Sequence, residues 1–427
     1  MKNVSLITTA CQNTWPKSKD QLVLFLGEWC KIYSEKEVWQ QFDSEVAPYH
    51  WNDRSKLYSD YHAIQATYEK TLLSLTAQLN QIHQVSYSSR YWRILIGPWL
   101  GCFIHMLFDR WFMLGVVFSS EQQYDCTIIK REGSSSFIPN DMETFTALFT
   151  KDDWNEIIYG QLIKMCWADR VSIEWIDKEN TNRVKKDTNV NIKTYIKNIS
   201  SFFNALYTKQ NDYFFISSYL PLGAELKLQA SLGQLPKIWT NNRHSPVMEC
   251  DDSQRRWLLD MDISNDFERI VQKMIPLHIP IAYLEGYKAL NLTTEKLSWP
   301  KKPKTIFTSN SFWGDDIFKA WSARKTESGT PLVIGQHGGG YGMCLFEFGD
   351  DHQSKIADKW ISWGWNDINR SNIIPVGNLK TMGRKVRYNP KGSVLMVEFN
   401  VPRYSYHLYS APIAGQWLNY FNDQKKF

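Results

Sequence analysis

Short apolar runs alternate along the chain with longer stretches in which apolar residues have helical spacing. Runs at 4–10 and 21–26 end in polar residues or glycine, which is typical of buried strands in an α/β sheet. Between 57 and 83, apolar residues recur every three or four positions, and this spacing predicts an amphipathic helix. The order of these elements indicates an α/β fold.

The most regular part of the pattern lies in the second half of the chain. Strands are predicted at 304–308 and 332–335, with a helix at 315–326 between them. A strand, a helix and a strand in this order form a βαβ unit, and such units build parallel sheets. Two further strands of the same sheet are predicted at 359–363 and 373–376.

Two other stretches have the character of helices. The apolar stretch 94–118 carries His105, Asp109 and Arg110 near its middle, and a lipid-exposed helix would carry these groups only at a large energetic cost. This stretch is therefore predicted to be a buried helix. Helical spacing of apolar residues also predicts a helix at 192–206.

The carboxyl-terminal part of the chain changes in composition. Segment 381–392 has four Lys or Arg residues, two glycines, one proline and no acidic residue, which predicts a linker. An apolar strand is predicted after it at 393–399, followed by a tail of 28 residues. One strand and one helix leave their apolar faces uncovered, so they do not form a domain by themselves.

Composition narrows the classes of partner. The chain has 427 residues, with 49 Lys and Arg against 44 Asp and Glu, a net charge of +5. This excess is far smaller than the dense basic surface that tight nucleic-acid binding requires, so no nucleic-acid partner is expected. The 19 Trp, 21 Tyr and 22 Phe supply faces that stack on sugars or bases, although core packing accounts for most of them.

The cysteines and histidines argue against a metal or disulfide protein. Seven cysteines are widely scattered, and none has CxxC spacing. No histidine group has the spacing of a metal site, so neither a metal nor a cofactor is expected. The amino terminus is too short and too polar for a secretion signal. These features favour a reducing cytoplasm.

Two loops at predicted strand ends carry candidate chemistry, and ligands of parallel sheets bind at such ends. His337 follows a strand and precedes Gly338, Gly339 and Gly340. Glycines let backbone N–H groups approach a phosphate closely, and an imidazole can transfer protons near neutral pH. Asp315 begins a predicted helix and has the chemistry of a base or a nucleophile. The structural alternative for the His337 loop is a plain turn, and the structural alternative for Asp315 is a helix N-cap.

Eight segments together resemble a family of transferases encoded with bacterial O-antigen and capsule loci. They are 25–30 (FLGEWC), 48–54 (PYHWNDR), 90–99 (RYWRILIGPW), 138–141 (IPND), 335–342 (GQHGGGYG), 362–365 (SWGW), 377–380 (GNLK) and 402–406 (PRYSY). The resemblance spans nearly the whole chain. More loosely, the Gln-His-Gly segment is similar to capsule Kdo transferases and to CDP-glycerol glycerophosphotransferases.

The resemblance implies two facing Rossmann-like domains in the GT-B arrangement. The first domain, with extra helices, would span 1–380, the linker 381–392, and the start of an incomplete nucleotide-binding domain 393–427. The implied activity is that of a glycosyltransferase that moves an acidic keto-sugar, a nonulosonic acid or Kdo, from its CMP derivative to a lipid-linked or oligosaccharide acceptor of O-antigen or capsule. Peripheral contact with the inner membrane would suit such an acceptor. A CDP-linked polyol-phosphate transferase and a non-catalytic glycan-binding or assembly protein are the alternatives.

The same reasoning assigns roles to individual residues. His337 and Asp315 are the predicted catalytic residues. The predicted donor-binding residues are Gly338, Gly339, Gly340, Tyr341, Asn310, Ser311, Asn378, Arg403, Tyr404 and Ser405. The predicted substrate-binding residues are Glu28, Trp29, His50, Asp53 and Arg93.

Overall fold

A computed structural model of the chain describes residues 4–130, 137–177, 207–240, 244–344, 347–385, 387–397, 402–405 and 416–427. Ten strands lie in these ranges: β1 (Val4–Ile7), β2 (Val23–Phe25), β3 (Ser44–Val46), β4 (Tyr124–Lys130), β5 (Val171–Asp177), β6 (Phe214–Ile216), β7 (Ile306–Thr308), β8 (Leu332–Gly335), β9 (Lys359–Ser362) and β10 (Ile373–Pro375). The α/β class predicted from the sequence is confirmed.

Twelve α-helices lie in the same ranges. They are α1 (Lys36–Trp39), α2 (Arg54–His83), α3 (Ser89–Phe118), α4 (Met142–Leu148), α5 (Asp152–Cys166), α6 (Leu222–Ser231), α7 (Asp266–His278), α8 (Tyr287–Glu295), α9 (Ser311–Gly314), α10 (Asp316–Glu327), α11 (Phe348–Ile356) and α12 (Gln416–Lys426). The predicted helix at 192–206 lies outside the described residues.

The first sheet contains β1 to β5, all parallel, in the order β3-β2-β1-β4-β5. This is the strand order of a Rossmann-like sheet, in which the chain adds strands on one side of β1 and then on the other. Asp53 begins α2 after β3, because its carboxylate accepts hydrogen bonds from the backbone N–H groups of Ser55 and Lys56. The strands predicted at 4–10 and 21–26 are confirmed as β1 and β2 of this sheet.

The second sheet contains β6 to β10, also all parallel, in the order β10-β9-β8-β7-β6. Strands β7 and β8 are neighbours and helices α9 and α10 connect them, so the predicted βαβ unit is confirmed. Both sheets lie within residues 4–375, where the sequence predicted a single Rossmann-like domain over 1–380. The GT-B arrangement and the domain boundaries stay predictions.

Helix α3 lies between the two sheets and is mostly buried. It packs against α5 beside the first sheet, against α10 and α11 beside the second, and against α2. In the described part of the chain it is the one helix long and apolar enough to cross a membrane, but 78% of its most apolar window is buried inside the protein. This burial confirms the predicted core helix.

Glycines let α3 approach α11 closely. A Cβ atom added at Gly101 would overlap the ring of Phe348, which is itself buried. A Cβ atom at Gly97 would crowd the imidazole of His352 in the same way. The two helices can therefore touch only because these positions have no side chain.

The carboxyl-terminal part differs from the prediction. Residues 393–397 form no strand, so the strand predicted at 393–399 is wrong over the part that the structure describes. No neighbouring strand in the described residues pairs with them, and Val394, Leu395 and Val397 are exposed. Helix α12 leaves Leu418 and Phe421 partly in solvent. The apolar run at 393–397 thus lacks the partner that would make it a strand.

Candidate functional site

The strands of the second sheet end at one common edge, and most residues predicted to act on a donor lie there. We call this edge the His337 edge and define it by residues 217–219, 309–311, 336–341, 363–365 and 377–380. His337, Gly338, Tyr341, Asn310 and Asn378 are all within it. The structure therefore brings these sequence positions together.

Gln336 fixes the turn that carries His337. Its Oε1 atom accepts hydrogen bonds from the backbone N–H of Trp363 at 2.8 Å and from Nε1 of Trp365 at 2.9 Å. Its Nε2 atom donates to the carbonyl of Gly338 at 2.6 Å. The side chain is buried, so these bonds tie the end of β8 to the end of β9 and hold the glycine-rich turn in place.

His337 is half-buried among aromatic rings. The hydroxyl of Tyr341 lies 3.2 Å from its Nε2 atom, and the rings of Tyr219 and Phe312 lie 6.1 Å from its ring centroid. Burial and the positive charge of Lys380 lower the pKa of His337 below its ordinary value. The imidazole is therefore neutral at physiological pH, and a neutral imidazole can accept a proton.

Lys380 gives this edge a positive charge. Its Nζ atom lies 5.3 Å from the ring centroid of Tyr219, and it takes part in no ion pair with a described residue. Its backbone N–H is held by Oδ1 of Asn378 at 3.0 Å. An ammonium group without a carboxylate partner is available to an anionic ligand.

The backbone is strained where β6 ends. Ser217 has φ of +46° and Tyr219 has φ of +59°, both in the left-handed region that non-glycine residues rarely adopt. Ser309 braces this bend, because its N–H and its hydroxyl donate to the carbonyls of Ser217 and Ser218 at 2.9 and 2.8 Å. Strain of this kind concentrates at functional sites. Sequence reasoning missed residues 217–219, since nothing in their identity signals a positive φ.

The glycine-rich turn is open to a ligand. Gly339 and Gly340 are exposed, and an added Cβ atom would meet its nearest atoms only at 3.9 and 3.7 Å. Further along, Gly342 has φ of +75° and its N–H donates to Asp350 at 2.9 Å, which ends the turn. The backbone of these two exposed glycines is therefore accessible to a ligand.

Ser311, within this edge, and Asp315, four residues further along the chain, have structural bonds. Asp315 caps α10 by accepting from the N–H of Phe318 at 2.9 Å. The N–H of Ser311 donates to Oγ1 of Thr308 at 3.0 Å, and Asn310 is exposed. The N-cap alternative for Asp315 is therefore confirmed as a structural role. Its predicted catalytic role stays a prediction.

Residues 402–405 lie at the carboxyl edge of the first sheet. Arg403 forms an ion pair with Asp152 at 2.5 Å and also donates to the carbonyl of Trp29. The hydroxyl of the buried Tyr404 donates to Asp152 at 2.6 Å. The main chain of Ser405 accepts from Nη1 of Arg110 at 2.7 Å. Residues 403–405 thus pack against the first sheet through Trp29, Arg110 and Asp152.

A buried ionic network supports this first-sheet edge. Asp109 accepts hydrogen bonds from the hydroxyl of Tyr49 at 2.5 Å, from Nε2 of His50 at 3.1 Å and from Nη1 of Arg110 at 2.7 Å. Burial opposes ionisation of Asp109, but the bond from His50 and the charge of Arg110 outweigh it and hold its pKa below the ordinary value. His50 is buried in this network, so its role here is structural.

The other predicted substrate-binding residues lie in two places, Glu28 and Trp29 beside the first-sheet edge and Arg93 between α3 and α2. Trp29 lies at the first-sheet edge, 5.9 Å from Tyr404 between ring centroids. Glu28 points to solvent and pairs with Lys31 at 3.1 Å. Arg93 binds both carboxylate oxygens of Glu69 between α3 and α2, at 2.9 and 2.5 Å. In the described residues, no group of three His, Cys, Asp or Glu side chains could hold a metal ion.

Comparison with known proteins assigns the family. The family model described as LIC12162 family transferase matches residues 4–427. The chain belongs to this family. No curated protein and no solved structure matches it significantly. The chain is therefore a transferase by family, and the donor and acceptor have to be inferred from the site.

Proposed function

We propose that this LIC12162 family transferase is a glycosyltransferase that moves an acidic keto-sugar from a CMP-activated donor to a bacterial surface glycan. The observation that carries the proposal is the His337 edge, where an imidazole with a lowered pKa, an ammonium that pairs with no described carboxylate and an open glycine-rich turn lie at the ends of parallel strands. The choice of CMP and of a keto-sugar rests on the family resemblance of the sequence segments.

The edge suits a phosphate leaving group. Breaking the bond between the sugar and the phosphate of CMP leaves an electron pair and a negative charge on the phosphate. In the proposal, Lys380 and the backbone N–H groups of the exposed Gly339 and Gly340 stabilise that charge. The acid group of the sugar adds a second negative charge that these groups can also bind.

His337 supplies the proton transfer in this proposal. The acceptor hydroxyl forms the new bond to the sugar carbon, and the imidazole takes the proton that the hydroxyl loses. Tyr341 and the surrounding rings hold the imidazole in one orientation. In the proposal, the carboxylate of Asp315, in the connection that follows β7, is a second reacting group. It acts either as a base or as the nucleophile of a two-step reaction.

The donor panel that tests the proposal contains a CMP-nonulosonic acid, CMP-Kdo and CDP-glycerol, each with a lipid-linked oligosaccharide acceptor. CMP release is followed with time. The proposal expects release from a CMP-keto-sugar and none from CDP-glycerol. Release from CDP-glycerol alone would support the polyol-phosphate alternative, and no release from any donor would favour a non-catalytic glycan-binding protein.

A further inference from the structure

The carboxyl group of Glu347 borders the glycine-rich turn of the His337 edge. Glu347 is the residue immediately before α11. A Cβ atom added at Gly340 would lie 3.7 Å from its Oε2 atom, and one added at Gly349 would lie 3.3 Å from its Oε1 atom. The second of these points is also 3.9 Å from the hydroxyl of Tyr341, which contacts His337. Glu347 therefore lies next to both an exposed glycine and the tyrosine that contacts the predicted catalytic histidine.

Glu347 differs from the neighbouring Asp350 in its partners. Asp350 pairs with Arg370 and accepts the N–H of Gly342 at 2.9 Å, so its negative charge is balanced. Glu347 is half-buried, and its carboxyl group takes part in no ion pair with a described residue. This carboxyl group is therefore not committed to a structural ion pair.

In the described residues, three titratable groups of other elements face this carboxyl group. They are the hydroxyl of Tyr61 on α2, the hydroxyl of Tyr341 and the thiol of Cys344. Desolvation and nearby carboxylates, Glu347 among them, raise the pKa of each, so all three stay neutral. Burial and the charge of Asp350 raise the pKa of Glu347 to about 7. A share of the Glu347 carboxyl groups therefore keeps its proton at neutral pH.

That proton decides whether Glu347 suits an anionic ligand. An ionised carboxylate beside Gly340 would repel a phosphate. A protonated carboxyl group has an O–H that can donate a hydrogen bond to a phosphate oxygen. Only the protonated form of Glu347 is therefore compatible with a phosphate at the exposed glycines.

We propose that Glu347 binds the phosphate of the nucleotide donor at the His337 edge, with its protonated carboxyl group donating a hydrogen bond to a phosphate oxygen. The inference rests on the proposed function, from which it takes the phosphate as ligand. When the bond between the sugar and the phosphate breaks, its electron pair moves to a phosphate oxygen, and the same O–H stabilises the new charge. Binding of the phosphate thus requires a proton on Glu347.

The test is isothermal titration calorimetry of the full chain with CMP between pH 7 and pH 9. In this range a phosphate monoester, with its second pKa at about 6, has lost both protons, and His337 is neutral. We expect the Kd of CMP to rise roughly tenfold or more from pH 7 to pH 9, because the protonated fraction of Glu347 falls.

Two variants separate Glu347 from its surroundings. Glu347→Gln keeps a hydrogen-bond donor that does not titrate, so its Kd for CMP should stay nearly constant over the same range. Asp351→Asn is the matched control, since Asp351 on α11 already pairs with Lys355 at 2.6 Å. This control should keep the pH dependence of the unaltered chain.

A second measurement needs no variant. Titrations of the unaltered chain at pH 8, in two buffers that differ in ionisation enthalpy, give the number of protons taken up with CMP. This number should approach one, and a value of zero would overturn the inference.

A Glu347→Gln variant with the pH dependence of the unaltered chain would also overturn the inference, while leaving the proposed function in place. The same holds for an unaltered chain whose Kd for CMP is constant from pH 7 to pH 9. An absence of CMP binding would contradict the role of Glu347, and CMP release from the donor panel would then decide the proposed function separately.

Discussion

The hydroxyl of Tyr341 lies 3.2 Å from Nε2 of His337, four residues earlier in the chain. The glycine-rich turn therefore folds back on its own histidine and sets the direction of the imidazole. The hydroxyl can donate to Nε2 or accept from it, so the contact orients the ring in either tautomer. Tyr341 is a positioning residue in this account.

Replacing Tyr341 by Phe should remove that bond while keeping the aromatic packing. We expect the transfer rate to fall about fivefold, since a hydrogen bond of this kind contributes about 1 kcal/mol. In a His337→Ala background the same replacement should have no further effect, because the two residues act through one group. Additive losses in the double variant would contradict the positioning role.

The charge of Lys380 should control the pH dependence of transfer. It lowers the pKa of His337, so the imidazole stays neutral to a lower pH than an ordinary histidine would. Lys380→Gln removes the positive charge, raises that pKa and should move the acid side of the rate profile to higher pH. The midpoint is measured from kcat/KM against pH. An unmoved midpoint would show that the charge of Lys380 does not lower the pKa of His337.

The two roles of Asp315 can be separated by one replacement. Asn is as good an N-cap as Asp, so Asp315→Asn should keep the thermal stability that the bond to Phe318 provides. The loss of the carboxylate should lower the rate about 100-fold if the predicted catalytic role holds. Thermal melting and steady-state rates are measured on the same sample. An unchanged rate would contradict the catalytic role of Asp315 and show that this residue acts only as the N-cap of α10.

The close contact between α3 and α11 should be sensitive to a single methyl group. Gly101→Ala puts a Cβ atom into the ring of Phe348, and overpacking of a buried contact costs about 1–3 kcal/mol. Gly115→Ala in the same helix meets its nearest atom only at 3.9 Å, so it should be neutral or slightly stabilising. Denaturant unfolding measures both variants. Equal stabilities would contradict the close helix packing.

The sequence located β8, α10 and the turn at His337 because each has strong local signals. Apolar periodicity marks the strand and the helix, and three consecutive glycines mark the turn. The amino-terminal helix α2 was found for the same reason, and its observed start at Arg54 follows the Asp53 cap.

Local sequence patterns do not reveal features that depend on residues far apart in the chain. Buried apolar strands occur in both sheets, for example β1 and β8, so the division of strands between the sheets could not be read from the sequence. The run at 393–397 is as apolar as a strand, but pairing requires a neighbour that local sequence does not reveal. The ion pair between Arg403 and Asp152 joins residues 251 positions apart. The positive φ values of Ser217 and Tyr219 are likewise imposed by tertiary contacts.

The most direct test of the central claim, that the His337 edge is the transfer site, is the transfer rate of His337→Ala with the donor that the panel identifies. We expect a folded protein whose rate is lower by about 100-fold or more, as removal of a placed proton-transfer group typically gives. His62→Ala, an exposed histidine on α2, is the matched control and should keep its rate. A folded His337→Ala variant with full activity would contradict the account.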